Sequence, residues 1–98
     1  MMEKEVHFYV LGRVQGVGYR RWCQRTAQQH GLCGWVRNKA DGKVEVFAYG
    51  DSLTVDLFLK ACLEGPLWAR VDRLIPVDFS PEAIKSFCEN EFKILVTK

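Results

Sequence analysis

Hydrophobic and polar positions along the chain recur with two different periods. Val6, His7, Phe8, Tyr9, Val10 and Leu11 form an aromatic and β-branched run that predicts a strand. Gly12, Gly16 and Gly18 then mark a loop. Tyr19 to His30 contains no Gly or Pro and is rich in Arg and Gln, with Ala27 among them, which predicts a helix. Tyr19, Cys23 and Ala27 recur along it every four residues as a narrow inward stripe. Gly31 is placed to end it. Leu32 to Arg37 predicts a second strand and Asn38 to Gly42 a turn, with Asp41-Gly42 as the hairpin signal. Lys43 to Tyr49 alternates through Val44, Val46 and Ala48 as a third strand, and Gly50 breaks it.

The second half repeats the order. Val55, Phe58, Leu59 and Cys62 sit at helical spacing within Ser52 to Leu63, and Gly65-Pro66 ends that helix. Val71 to Phe79 predicts a fourth strand, in which Pro76 suits an edge or a bulge. Ser80-Pro81-Glu82 opens an irregular segment with room for one helical turn, and Phe92 to Val96 predicts a last strand. The order β-α-β-β-α-β, with a short addition near the end, is that of the ferredoxin-like split βαβ plan. It predicts an α+β sandwich, with two helices on one face of an antiparallel sheet. With 98 residues, 48% of them apolar, the chain is expected to form one domain over residues 1–98.

Composition narrows the function classes. No apolar run reaches the roughly 18 residues of a membrane helix, and the first residues carry no apolar stretch of the signal-peptide kind. A cytoplasmic protein without membrane contact is expected. Cys23, Cys33, Cys62 and Cys88 include no Cys-x-x-Cys pair, which argues against a zinc knuckle or a dithiol site. They read as small buried hydrophobes, with a disulfide the less favoured alternative in a reducing compartment. The net charge of +2 is too small to indicate nucleic acid. Its distribution is uneven: residues 1–50 hold eight basic and four acidic side chains, residues 51–98 six and eight. The field around the glycine loop therefore favours a small anion.

The loop Gly12-Arg13-Val14-Gln15-Gly16-Val17-Gly18-Tyr19-Arg20 joins a strand to a helix. Successive backbone N–H groups in such a loop converge as an anion nest, and the helix start adds unpaired donors and the positive end of its dipole. Arg20 stands at the junction, where its planar guanidinium is able to bind two phosphate oxygens. As a bare pattern this is more often only a turn, and it lacks the spacing of the nucleotide and dinucleotide loops. Asn38 ends the second strand, whose loop is expected to meet the glycine loop at one sheet edge. Its amide carries both an acceptor and donors and is suited to orienting a water, although Asn before Asp-Gly is also a common turn residue.

These segments resemble the acylphosphatase family. The motifs are Gly12-Arg13-Val14-Gln15-Gly16-Val17-Gly18-Tyr19-Arg20, Gly31-Leu32-Cys33-Gly34-Trp35-Val36-Arg37-Asn38 and Asp41-Gly42-Lys43-Val44-Glu45-Val46. Gly65-Pro66, Ala69-Arg70-Val71 and Phe92-Lys93-Ile94 fit as well. The likeness covers nearly the whole chain and is weakest from Ser80 to Glu91. Tyr19 stands where the family usually has Phe, a change with little expected effect.

The resemblance implies Arg20 and Asn38 as the catalytic pair. It also implies a substrate phosphate held by amides of Gln15, Gly16, Val17, Gly18, Tyr19 and Arg20. The implied reaction is hydrolysis of a small acyl phosphate by a monomer, with no metal, no cofactor and no phosphoenzyme.

The chemistry is consistent. No Ser-His-Asp set and no carboxylate cluster for Mg²⁺ can be placed on the elements. A phosphomonoester has a poor leaving group and usually requires an acid, a metal or a nucleophile. An acyl phosphate releases a stable carboxylate, so positioning and charge stabilisation suffice. Three rivals share the fold plan. An RNA binder would use Tyr9, Phe47 and Tyr49 as stacking aromatics, but Lys43-Val44-Glu45-Val46 departs from the RNA-recognition signature. A metal carrier would need cysteines in the first loop. A phosphate-binding module without turnover would use the same loop.

Overall fold

The structure, a computed structural model, describes residues 2–77 and 91–98. Its elements are strand β1 (Glu3–Arg13), helix α1 (Tyr19–Gln29), β2 (Cys33–Asn38), β3 (Val44–Asp51), helix α2 (Ser52–Glu64), β4 (Arg70–Pro76) and β5 (Phe92–Ile94). The sheet order is β4-β1-β3-β2-β5. This is the expected ferredoxin-like α+β plan, with both helices on one face.

One detail of the sheet differs. β5 runs parallel to β2, pairing Gly34 with Phe92 and Val36 with Ile94, so the sheet is mixed rather than wholly antiparallel. The chain returns to the far edge from β4 on the opposite edge, and it arrives pointing the same way as β2. The ends of the predicted fourth strand beyond residue 77, the segment at Ser80-Pro81-Glu82, and Cys88 lie outside the described residues. Pro76 does occupy an edge strand, and the register shift in this pair falls on β1, between Leu11 and Gly12. Among the described residues no helix is long and apolar enough to cross a membrane.

Alternation along the strands builds two unlike faces. Phe8, Val10, Val36, Val44, Val46 and Ala48 point toward the helices and are buried against Tyr19, Cys23 and Ala27 of α1 and Val55, Phe58 and Cys62 of α2. Cys23, Cys33 and Cys62 are free thiols, two of them fully inside this core. The other face carries Trp35 stacked on Phe47, ring centres 6.2 Å apart, both buried. An RNA platform would need Phe47 open, and it is closed.

The same face holds a charged cluster absent from the predicted core. His7 on β1 lies 2.6 Å from Glu45 on β3, through Nε2 and Oε2, and Arg37 Nε donates to Glu45 Oε1 at 2.7 Å. Glu45 is buried, so desolvation works to raise its pKa. Hydrogen bonds from His7 and Arg37, together with their charges, outweigh that and hold it down to about 2, from an ordinary 4.5. A carboxylate with a depressed folded pKa contributes stability above its unfolded value and loses it as pH falls toward the folded one. Glu45→Gln is therefore expected to destabilise the fold by on the order of 3 kcal/mol at pH 7. The deficit should shrink as pH falls from 4.5 toward 2. Denaturant unfolding of both proteins across that range checks this; a pH-independent deficit would detach the effect from the charge.

Candidate active site

β3 pairs antiparallel with both β1 and β2, so β1 and β2 point the same way on either side of it. Val10 and Asn38 both face Val44 across the ladder. Two inter-strand spacings separate them, roughly 10 Å. The loop after β1 and the end of β2 thus emerge at one edge of the sheet, as expected.

The loop follows from its side chains. Val14 is buried in the core and anchors the loop's first turn. Gly16 and Gly18 then take φ of 73° and 83°. These left-handed values are strained for residues with a Cβ and turn consecutive N–H groups inward. A Cβ at either glycine would meet nothing within 4 Å, so that side of the backbone is open. Gly18 is also the N-cap of α1. It supplies no side-chain cap, and the first turn holds no acidic residue. The orphan N–H groups at the helix start therefore lack their usual side-chain acceptor and face a positive dipole end.

Tyr19, the first helical residue, contributes its backbone to this loop but not its ring. The side chain is buried, and its hydroxyl donates to the Cys62 carbonyl at 2.7 Å. Burial raises its pKa. The polar atom that Tyr adds over Phe is satisfied inside the core.

Arg20 is half-buried, and its guanidinium takes part in no hydrogen bond or ion pair among the described residues. Asn38 is half-buried too. Its Oδ1 is shielded from solvent and accepts no hydrogen bond among the described residues. A buried polar atom left in that state costs free energy unless a ligand or water meets it.

The Gln15 side chain has a role that the sequence reading missed. Its Nε2 donates to the carbonyls of Lys39 and Lys43, at 2.7 and 2.8 Å. Lys43 O also accepts from Lys39 N–H, the bond that closes the β2–β3 hairpin. The glycine loop is thereby tied to the hairpin that begins at Asn38. In sequence Gln15 was only one more amide; nothing local marks its side chain as the tie.

Comparison with known proteins fits this geometry. A profile of the acylphosphatase family matches residues 6–94. The chain belongs to the acylphosphatase family. It is 54% identical over 71 residues to the acylphosphatase of Methylococcus capsulatus, covering 72% of this chain and 77% of the relative. It is 41% identical over 92 residues to that of Leuconostoc mesenteroides, covering 93% and 97%. The crystal structure of acylphosphatase from Bacillus subtilis superposes with a TM-score of 0.81 at 33% identity, over 96% of this chain and 99% of that one.

Gln15→Glu tests the tie. A carboxylate facing two carbonyls loses both donors, an expected cost of about 1–3 kcal/mol at pH 7. Below the carboxyl's pKa one O–H donor returns, so the deficit relative to wild type at the same pH should narrow near pH 4. Equal deficits at pH 7 and pH 4 in denaturant unfolding would mean that these bonds do not hold the loop.

Proposed function

We propose that the chain, acting as one domain over residues 1–98, hydrolyses small acyl phosphates to a carboxylate and inorganic phosphate without a metal. Its membership of the acylphosphatase family makes it an enzyme of that type. The observation that carries the mechanism is the uncapped, acid-free start of α1 behind two left-handed glycines, docked onto the hairpin that begins at Asn38.

In this reading the amides of Gln15, Gly16, Val17, Gly18, Tyr19 and Arg20 hold the phosphate oxygens. The Arg20 guanidinium adds a fixed charge to them in the ground and transition states. Asn38 accepts a hydrogen bond from the attacking water on its shielded Oδ1 and aims the water oxygen at phosphorus, opposite the leaving carboxylate, and the water's protons pass to the phosphate product and solvent. The P–O bond to the acyl group breaks as the bond to water forms. The electron pair leaves on the carboxylate, which needs no protonation at neutral pH. Donors fixed before reaction around the equatorial oxygens are the main source of rate. A monomer in the cytoplasm, without nucleic acid as partner, completes the proposal.

The direct test is phosphate release from acetyl phosphate and from p-nitrophenyl phosphate, with and without EDTA. Turnover of the acyl phosphate alone, indifferent to EDTA, is expected. Loss of activity in EDTA, restored by Mg²⁺, would overturn the mechanism, and binding without turnover would leave a phosphate-binding module.

Roles of the two side chains separate in a second measurement. Inorganic phosphate that binds only the native state raises its stability by about 2.7 kcal/mol at 100 times Kd. The rise in Tm should persist in Asn38→Ala and largely vanish in Arg20→Ala, at constant ionic strength. Turnover should fall on the order of 100-fold or more in both. Near-normal turnover in Asn38→Ala, or an undiminished phosphate response in Arg20→Ala, would reassign that residue.

A further inference from the structure

Trp68 differs from the other two tryptophans. Trp35 is buried and Trp22 packs on Tyr19 with ring centres 5.2 Å apart, whereas Trp68 is 77% exposed. The main chain places it there. Ala69 N–H donates to the Pro66 carbonyl at 3.0 Å, so Leu67 and Trp68 are the two central residues of a turn between α2 and β4.

That turn is pinned beside the glycine loop. Gly65 precedes it with φ 71°, and a Cβ there would lie 3.1 Å from Val71 Cγ2 and 3.4 Å from the Tyr19 ring. Tyr19 opens α1, and its hydroxyl bond to Cys62 O fixes the end of α2 to the same point. The indole consequently borders the β1–α1 connection on several sides. It lines a cleft of about 610 Å³ with Arg13, Gly16 and Val17. It lines a second, of about 370 Å³, that includes Val17, Gly18 and Pro66.

We propose that Trp68 is the wall of a subsite for the acyl group, and that the group it takes is planar and aromatic. The inference rests on the glycine loop being the phosphate site. Amides and Arg20 surround three oxygens of a bound phosphate, so the fourth, which carries the acyl group, must leave the cradle. The cleft shared by Gly16, Val17 and Trp68 adjoins that cradle. A flat ring two bonds beyond the bridging oxygen extends farther from the cradle, toward Val17 and the indole, than a methyl group at the same position. Aromatic rings favour such offset or edge contacts, and an indole offers the largest face for them.

The experiment compares benzoyl phosphate with acetyl phosphate in wild type, Trp68→Ala, Trp68→Phe and Leu67→Ala. Leu67 shares the turn but lines neither cleft. The readout is the ratio of kcat/KM for the two substrates. Trp68→Ala should lower that ratio roughly 5-fold, mainly through KM for benzoyl phosphate, as removal of uniform binding does. Trp68→Phe should restore most of it, and Leu67→Ala should leave it at the wild-type value. A ratio unchanged in Trp68→Ala, or equal losses on both substrates, would overturn the subsite while leaving the hydrolase reading intact. If wild type hydrolyses neither substrate, the hydrolase reading fails. Competition between phenacylphosphonate and acetonylphosphonate, in which a methylene replaces the bridging oxygen, for phosphate-dependent Tm elevation then decides the subsite separately: a preference for the phenyl compound that Trp68→Ala abolishes supports it, and no preference overturns it.

Discussion

The central position of β3 is the constraint from which the site follows. Its ladder to β1 and its ladder to β2 are both antiparallel, and this forces the two outer partners to run parallel. Their ends, and the connections that leave them, have to meet at one edge. The Gln15 bonds refine that coarse placement from a strand spacing to a hydrogen-bond distance.

The polar groups at this edge contrast with the Glu45 cluster and the Tyr19 hydroxyl. On the sheet face away from the helices, Glu45 is met by both His7 and Arg37, and the Tyr19 hydroxyl finds a carbonyl inside the core. Around the glycine loop, the helix start has no side-chain cap and Asn38 Oδ1 has no acceptor role among the described residues. Among the described residues Trp35 Nε1, buried away from this edge, is unmet as well, but only at this edge does an unmet side-chain oxygen lie across from an uncapped helix start.

Much of this was legible in residues alone, for identifiable reasons. The period-2 run at Val44, Val46 and Ala48 and the four-residue stripe Tyr19, Cys23 and Ala27 each encode a face, and each face is buried as read. Gly16 and Gly18 announced a left-handed backbone because few other residues adopt it cheaply. Illegible features depended on partners distant in sequence. Gln15 and Lys39, His7 and Glu45, and Gly34 and Phe92 are each joined by a contact that no local pattern carries. The direction of β5 is of this kind, since three residues with a helix-facing Phe92 fit either orientation.

Pro76 has a consequence beyond its place in the register. A sheet edge with free N–H groups is a template on which another extended chain will grow. On β4, the outer strand beside β1, proline removes a donor from that row, and the opposite margin, β5, has only three residues to offer. Both rims of a five-stranded sheet are thus poor seeds for cross-β stacking. The exposed charges of Arg70, Asp72 and Arg73 along β4 add to that protection.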